Sequence, residues 1–173
     1  MDTVSFKEIA LQEFDKEMAT TRAVLARVPF AEKKDWRPHG KSMALGSLAL
    51  HIARLSGMPK NIIGEDSQTF GGSAAMPGSD VADTDGLMAF FDANAKAARA
   101  ALEGATDARF AGGWELTYND GTNVREIYKG PRALAYRSLF MNHLIHHRAQ
   151  LGVYLRLLDI PVPGSYGPSA DER

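Results

Sequence analysis

No cysteine occurs among the 173 residues, and that one absence removes disulfides, thiolate zinc sites and thiol nucleophiles together. Any metal must be held by His, Asp, Glu or water. No run of about 18 apolar residues is present, so no membrane span is expected. An excess of one charge is missing too: 20 Lys and Arg stand against 21 Asp and Glu, for a net charge of -1. Without a concentrated basic face there is no reason to expect a nucleic-acid partner. Also absent are a glycine-rich phosphate loop, a nucleophile elbow and a His-Glu-x-x-His sequence. The opening stretch MDTVSFKEIA lacks the basic start and continuous apolar region of a signal peptide, and a cytoplasmic location is expected.

What is present is ordinary in bulk and organised in detail. Apolar residues make up 45% and charged residues 24%, as in globular domains generally, and the length suits one domain spanning 1–173. Ile9, Leu11, Phe14, Met18, Thr21 and Leu25 recur at helical spacing, predicting a first helix from about Ser5 to Arg27. Ser5 and Glu8 form a capping box at its start, and Val28-Pro29 stops it. A connector from Phe30 to Lys41 leads to a second helix from Ser42 past Leu55, which Gly57 and Pro59 end or kink, with Asn61 to Gly64 as a continuation. Gly64 to Asp83 shows neither period and reads as a long loop, a feature often functional or mobile. A third helix follows from about Asp83 to Glu103.

The period then changes. Trp114, Leu116 and Tyr118 alternate with Glu115 and Thr117, and Asn119-Asp120-Gly121 is a turn signal, so a short hairpin is predicted between Gly112 and Lys129. Pro131 suits the first turn of a fourth helix ending near Leu158. The Pro-rich tail is expected to lie extended on the surface. The predicted fold class is all-α: a four-helix bundle with a short hairpin or extended insertion before the last helix.

Three of the five histidines fall in the stretch MNHLIHHRAQ, from Met141 to Gln150. His143 and His147 are four apart, so a helix stacks them on one face about one turn apart. At about 100° per residue they share the most apolar sector of the helix with Tyr136, Leu139, Phe140, Leu151, Tyr154 and Leu158. Two readings fit: core histidines satisfied by neighbours, or ligands of one ion that partners a nitrogen of each ring. His51, beside the apolar face of the second helix, is a third candidate, and three imidazoles with open positions form a known catalytic geometry. His39, between Pro38 and Gly40, reads as a surface turn. His146 lies at the edge of the sector, where Gln150 could orient it; Arg137 and Arg148 fall towards solvent or a partner. Tyr136 and Tyr154 either line the site or pack in the core. The helix carries no Glu for the Glu-x-x-His pairs of a carboxylate-bridged dinuclear centre. Leu134, Met141, Ile145 and Gly152 form a second stripe opposite the histidines, covered by the hairpin or tail or, the favoured reading, forming a homodimer seam.

The run His143-Leu-Ile-His-His147-Arg148-Ala-Gln150, followed by Tyr154-Leu-Arg-Leu-Leu and Pro161-Val-Pro163, resembles the DinB/YfiT-like family. Upstream, Trp36-Arg-Pro38-His39-Gly-Lys41-Ser42-Met and Leu50-His51-Ile-Ala resemble the same family's connector and second helix. The resemblance spans nearly the whole chain and is weakest from Gly64 to Asp83. It implies a four-helix bundle, often dimeric, whose metal ligands carry over to His51, His143 and His147. Relatives of this type include metal-dependent transferases that use low-molecular-weight thiols, such as bacillithiol transferases and mycothiol-dependent isomerases. The expectation is thus a divalent ion, zinc or nickel first, and thiol S-transfer to a small-molecule electrophile or a related hydrolysis. The alternative is a non-enzymatic metal-binding stress-response dimer.

Overall fold

Ser5 starts the first helix as its spacing from Glu8 predicts. The Glu8 amide donates to Ser5 Oγ at 3.2 Å while the Ser5 amide donates to Glu8 Oε2 at 3.0 Å, so two amides without intrahelical partners are satisfied reciprocally. The computed structural model describes residues 4–72 and 76–172. Residues 1–3 of the stretch read for a signal peptide, and residues 73–75 of the long predicted loop, lie outside the described residues.

Helix α1 is Phe6–Leu25. The connector contains a short helix, α2 (Phe30–Lys33), before α3 (Leu45–Leu55). Gly57 and Pro59 break the second helical limb as expected, and α4 (Met58–Gly64) continues it with Pro in its first turn. Helix α5 (Thr84–Gly104) is capped by Asp83, whose carboxylate accepts from the Gly86 amide at 2.8 Å, and α6 (Asp107–Ala111) follows. The last helical rod has three parts: α7 (Arg132–Ala135), a π-helical segment (Tyr136–Met141) and α8 (Asn142–Leu157).

The all-α expectation requires correction. The chain is mostly helical, and it also carries a three-stranded sheet in the order β1-β2-β3. Strands β2 (Gly113–Asn119) and β3 (Val124–Pro131) form the predicted antiparallel hairpin, with Gly113 opposite Pro131 and Asn119 opposite Val124. Strand β1 (Ser67–Gly71) comes from the segment read as loop and pairs parallel with β2, Ser67 opposite Glu115 and Gly71 opposite Asn119. It is a mostly exposed edge strand, so it lacks the alternation that marks a half-buried strand. At its end Gly71 has φ +101°, and a Cβ there would stand 2.2 Å from the Asn119 carbonyl oxygen; only glycine suits that junction.

Two arginines fasten this sheet to α4. Buried Arg132 donates from Nε to the Ile62 carbonyl at 2.9 Å and from Nη2 to the Glu65 carbonyl at 3.0 Å and Asp66 Oδ1 at 2.7 Å. Arg109 donates to the Ile63 carbonyl at 2.7 Å and the Gly64 carbonyl at 3.2 Å. The carbonyls of a helix C-terminus lack intrahelical donors; here guanidinium groups supply them, which fixes where β1 departs.

Helix α3 packs against both α5 and α8, and α1 packs against the same two helices. Their shared core includes Phe14, Leu48, Ile52, Phe91, Phe140 and Leu151, each at most 1% exposed. The stripe Leu134, Met141, Ile145 and Gly152 is divided in the fold. Met141 is buried, Leu134 is exposed, and a Cβ on Gly152 would meet Val162 of the tail at 3.6 Å. The tail is held by Asp171, which accepts from both Nη atoms of Arg156 and from the Val162 amide.

Arg148 does not point to solvent; that reading is corrected. Its side chain is 3% exposed, and Nη1 stands 2.6 Å from Glu17 Oε2, itself 5% exposed. The guanidinium also donates to the Glu17 carbonyl, Thr21 Oγ1 and Tyr166 hydroxyl at 3.1–3.2 Å. A buried charge is tolerated when it is paired and its remaining donors are satisfied, and these contacts bind α8 to α1 and to the tail. Arg137 lies as expected, partly exposed and paired with Glu13.

Candidate metal centre

Helices α3 and α8 are brought into contact by the apolar residues beside their histidines. Leu48, Ile52 and Leu55 hold one side of α3 in the core, and Leu144, Leu151 and Leu155 do the same for α8. The intervening positions are left facing across the seam. His51 presents its ring to both partners, with centroids 5.0 Å from His143 and 4.6 Å from His147. His143 and His147, stacked by their four-residue spacing, are 4.7 Å apart. One ligand atom from each of the three lies within 4.8 Å of the others. Among the described residues, these are the three that form such a group.

The orientation of two of the rings follows from the second nitrogen. His143 Nδ1 faces the Leu139 carbonyl at 3.3 Å, and His147 Nδ1 faces Gln150 Oε1 at 2.7 Å. A nitrogen facing a carbonyl oxygen carries the proton, so both rings keep Nε2 unprotonated for a ligand role. His51 Nε2 and His143 Nε2 stand 3.2 Å apart. On a tetrahedral ion with nitrogen at about 2.0–2.1 Å, two ligand nitrogens are separated by about 3.3 Å. The His51–His143 pair therefore matches the nitrogen separation on one shared ion, and a nitrogen of His147 lies within 4.8 Å of both.

Electrostatics favour the neutral, ligating form. Burial holds the His51 imidazole down at about 4 against an ordinary value of 6.5, helped by the positive charge that His147, His143 and Arg54 would place beside it. His143 is lowered by burial and by His147, against the raising effect of the Leu139 carbonyl. His147 is lowered by burial, with Gln150 opposing. Imidazoles that resist protonation need lose no proton to accept a metal at neutral pH.

The other sequence candidates are placed elsewhere. His39 sits in an exposed turn, its Nδ1 accepting from the Lys41 amide at 3.1 Å. His146 is exposed, its ring 5.0 Å from that of His147. Gln150 serves His147 rather than His146. Tyr136 donates to the Ala10 carbonyl at 2.8 Å in the core, and Tyr154 donates to the Met43 carbonyl at 3.2 Å; both are packing residues.

Next to the histidines lies a cavity of about 670 Å³, open to solvent and lined by His51 and His143 together with residues of α3, α4, β1 and α5. Its walls are largely apolar, with Leu55, Met58, Phe90, Leu116 and Leu139 among them. The region read as a structureless loop thus contributes through β1, including Thr69 and Phe70. Nothing in the local sequence SQTFG signalled that, because its role depends on pairing with a strand over 40 residues away. A cavity of this size and lining suits a small organic molecule.

The DinB family model matches residues 3–173. No curated protein matches the chain. Among solved structures, a DinB-like protein from Bacillus cereus ATCC 10987 is similar at 20% identity and a TM-score of 0.66, covering 91% of this chain and 95% of that one. A DinB-like protein from Bacillus subtilis is similar at 18% identity and a TM-score of 0.61, covering 95% of this chain and 99% of that one.

Proposed function

The chain belongs to the DinB family, and from that premise we propose a metal-dependent enzyme that binds a divalent ion, zinc or nickel first, on His51, His143 and His147. The reaction proposed is S-transfer from a low-molecular-weight thiol to a small electrophile, with hydrolysis as the related alternative. The four helical limbs, α1, α3 with α4, α5, and α7 with α8, are read as a four-helix bundle forming one domain. A homodimer through exposed apolar residues such as Leu134, Val153 and Leu157 belongs to the same reading.

One observation carries the metal assignment: the Nε2 atoms of His51 and His143, on different helices, are 3.2 Å apart, while the second nitrogens of His143 and His147 orient their rings. When bound, such an ion lowers the pKa of a coordinated thiol or water. The chain supplies the rest. Leu139 and Gln150 fix the ring orientations, and the apolar walls exclude water from around a bound substrate. Among the described residues, no Asp or Glu lines the cavity, so no carboxylate base stands ready beside the histidines; this favours transfer from an ionised thiol over hydrolysis.

Elemental analysis by inductively coupled plasma, on protein purified without a His tag, tests the site. About one equivalent of a divalent metal is expected, lost in His51→Ala and His143→Ala. Full occupancy in both variants would remove the assignment. Metal that binds, but whose spectrum after cobalt substitution ignores every thiol offered, would favour a non-enzymatic metal-binding role over transfer.

A further inference from the structure

One cation in the cavity has no carboxylate partner. Arg54 lies one turn after His51 on α3, half-buried, and both residues line the cavity. Its Nε donates to the Pro77 carbonyl at 2.6 Å. No acidic group among the described residues lies within ion-pair distance of its guanidinium, and neither Nη atom has a hydrogen-bond partner among them. The buried arginines differ: Arg132 and Arg148 use both Nη atoms on carbonyls, hydroxyls or carboxylates. Lys60, exposed on α4, adds a second positive charge to the lining, against no Asp or Glu. A guanidinium is a planar fork suited to two-point binding of a carboxylate. With no partner among the described residues, the Nη atoms of this half-buried side chain are open to an anion entering the cavity.

We infer that the cavity binds an organic carboxylate with an apolar, ring-sized body, its anion on the Nη atoms of Arg54 and its body against Phe90 and Leu55 (both cavity-lining). His51 and Arg54, at helical i, i+3 spacing, project from the same side of α3. The ligand's charged end and the histidine cluster therefore meet at one wall, which places a reactive group near the histidines. The inference names a substrate class for the proposed enzyme and so rests on that reading, although anion binding itself needs no metal.

The test uses full-length protein stripped of metal with EDTA and then dialysed, with isothermal titration calorimetry of three probes: 4-phenylbutyrate, 4-phenylbutanol and 4-phenylbutylamine. The carboxylate is expected to bind roughly tenfold or more tightly than the alcohol, and the amine weakest. Arg54→Gln is expected to lower affinity for 4-phenylbutyrate about ten- to hundredfold while leaving that for 4-phenylbutanol unchanged; a variant with a collapsed cavity would lose both. Arg54→Lys, retaining charge without the fork, is expected to fall between wild type and Arg54→Gln. Equal binding of carboxylate and alcohol, or an Arg54→Gln protein that binds 4-phenylbutyrate like wild type, would overturn the assignment. So would loss of both ligands together, or no heat with any probe at roughly millimolar concentration. Failure of the metal reading is separately visible: metal-free protein that passes this test but binds no ion keeps the anion subsite and loses the enzyme proposed around it.

Discussion

Acidifying the metal-free protein is expected to protonate the unfolded chain before the folded one, and His51 sets the scale. Its folded value is held at about 4 by burial and neighbouring positive charge, against 6.5 for the ordinary group. Between those two pH values the unfolded state binds more protons than the native state, so stability rises with pH. The contribution is complete above about 6.5 and is lost as pH falls towards 4. At 1.36 kcal/mol per pH unit the full difference caps the effect at about 3 kcal/mol. The ring is only partly shielded, and solvent screening brings the loss between about pH 7.5 and pH 5 to about 1 kcal/mol. His143 and His147 are shifted the same way and add to the slope. Asp171, held at about 2 by Arg156 and the Val162 amide against an ordinary 3.8, loses its contribution mainly below that ordinary value, beneath the pH 5 end of the comparison. Urea denaturation with EDTA present, at both pH values, for wild type and His51→Asn, measures the difference. Wild type is expected to lose more stability on acidification than the variant, by about 1 kcal/mol. An identical slope in the two proteins, or a wild type that gains stability in acid, would refute the account of the cluster.

Three further outcomes follow from the geometry. Arg148→Met leaves Glu17 buried without its partner and is expected to cost about 3–5 kcal/mol in urea denaturation, much of it recovered in the double variant with Glu17→Leu. Gln150→Leu frees the His147 ring and is expected to weaken metal binding about 10- to 100-fold in a competitive chelator titration, with little change in the stability of the metal-free protein. Gly71→Ala forces a Cβ against the Asn119 carbonyl at positive φ and is expected to destabilise by about 1–3 kcal/mol, measured by thermal or urea unfolding.

The histidines were legible because their spacing is local. Two residues four apart on an apolar helical face meet wherever the helix goes, and His51 needed only a second helix packed against the first. Arg148 was not legible, since the wheel places it beside the histidine sector without revealing that α1 carries Glu17 at the same level. The same wheel placed Tyr136 and Phe140 in the apolar sector, and both are core residues; a wheel does not show the π-helical segment from Tyr136 to Met141, which winds with more residues per turn. Strand β1 left no trace because a short exposed edge strand is defined by its partner's backbone rather than by its own side chains. Gln150 was assigned to the wrong ring for a narrower reason: positions i−3 and i−4 both lie within its reach.

His51 and His143 are 92 positions apart along the chain, yet their ring nitrogens nearly touch. An ion shared between them would be a cross-link closing a loop of that length. The entropy of closing such a loop grows only logarithmically, by about 0.6 kcal/mol for each doubling, and here the packing of α3 on α8 has already met that cost. Such an ion would be a tenant of the fold rather than its architect, in contrast to small zinc domains that unravel when the metal leaves. Loading and emptying would then proceed on one folded backbone, with tighter metal binding adding to stability by mass action alone.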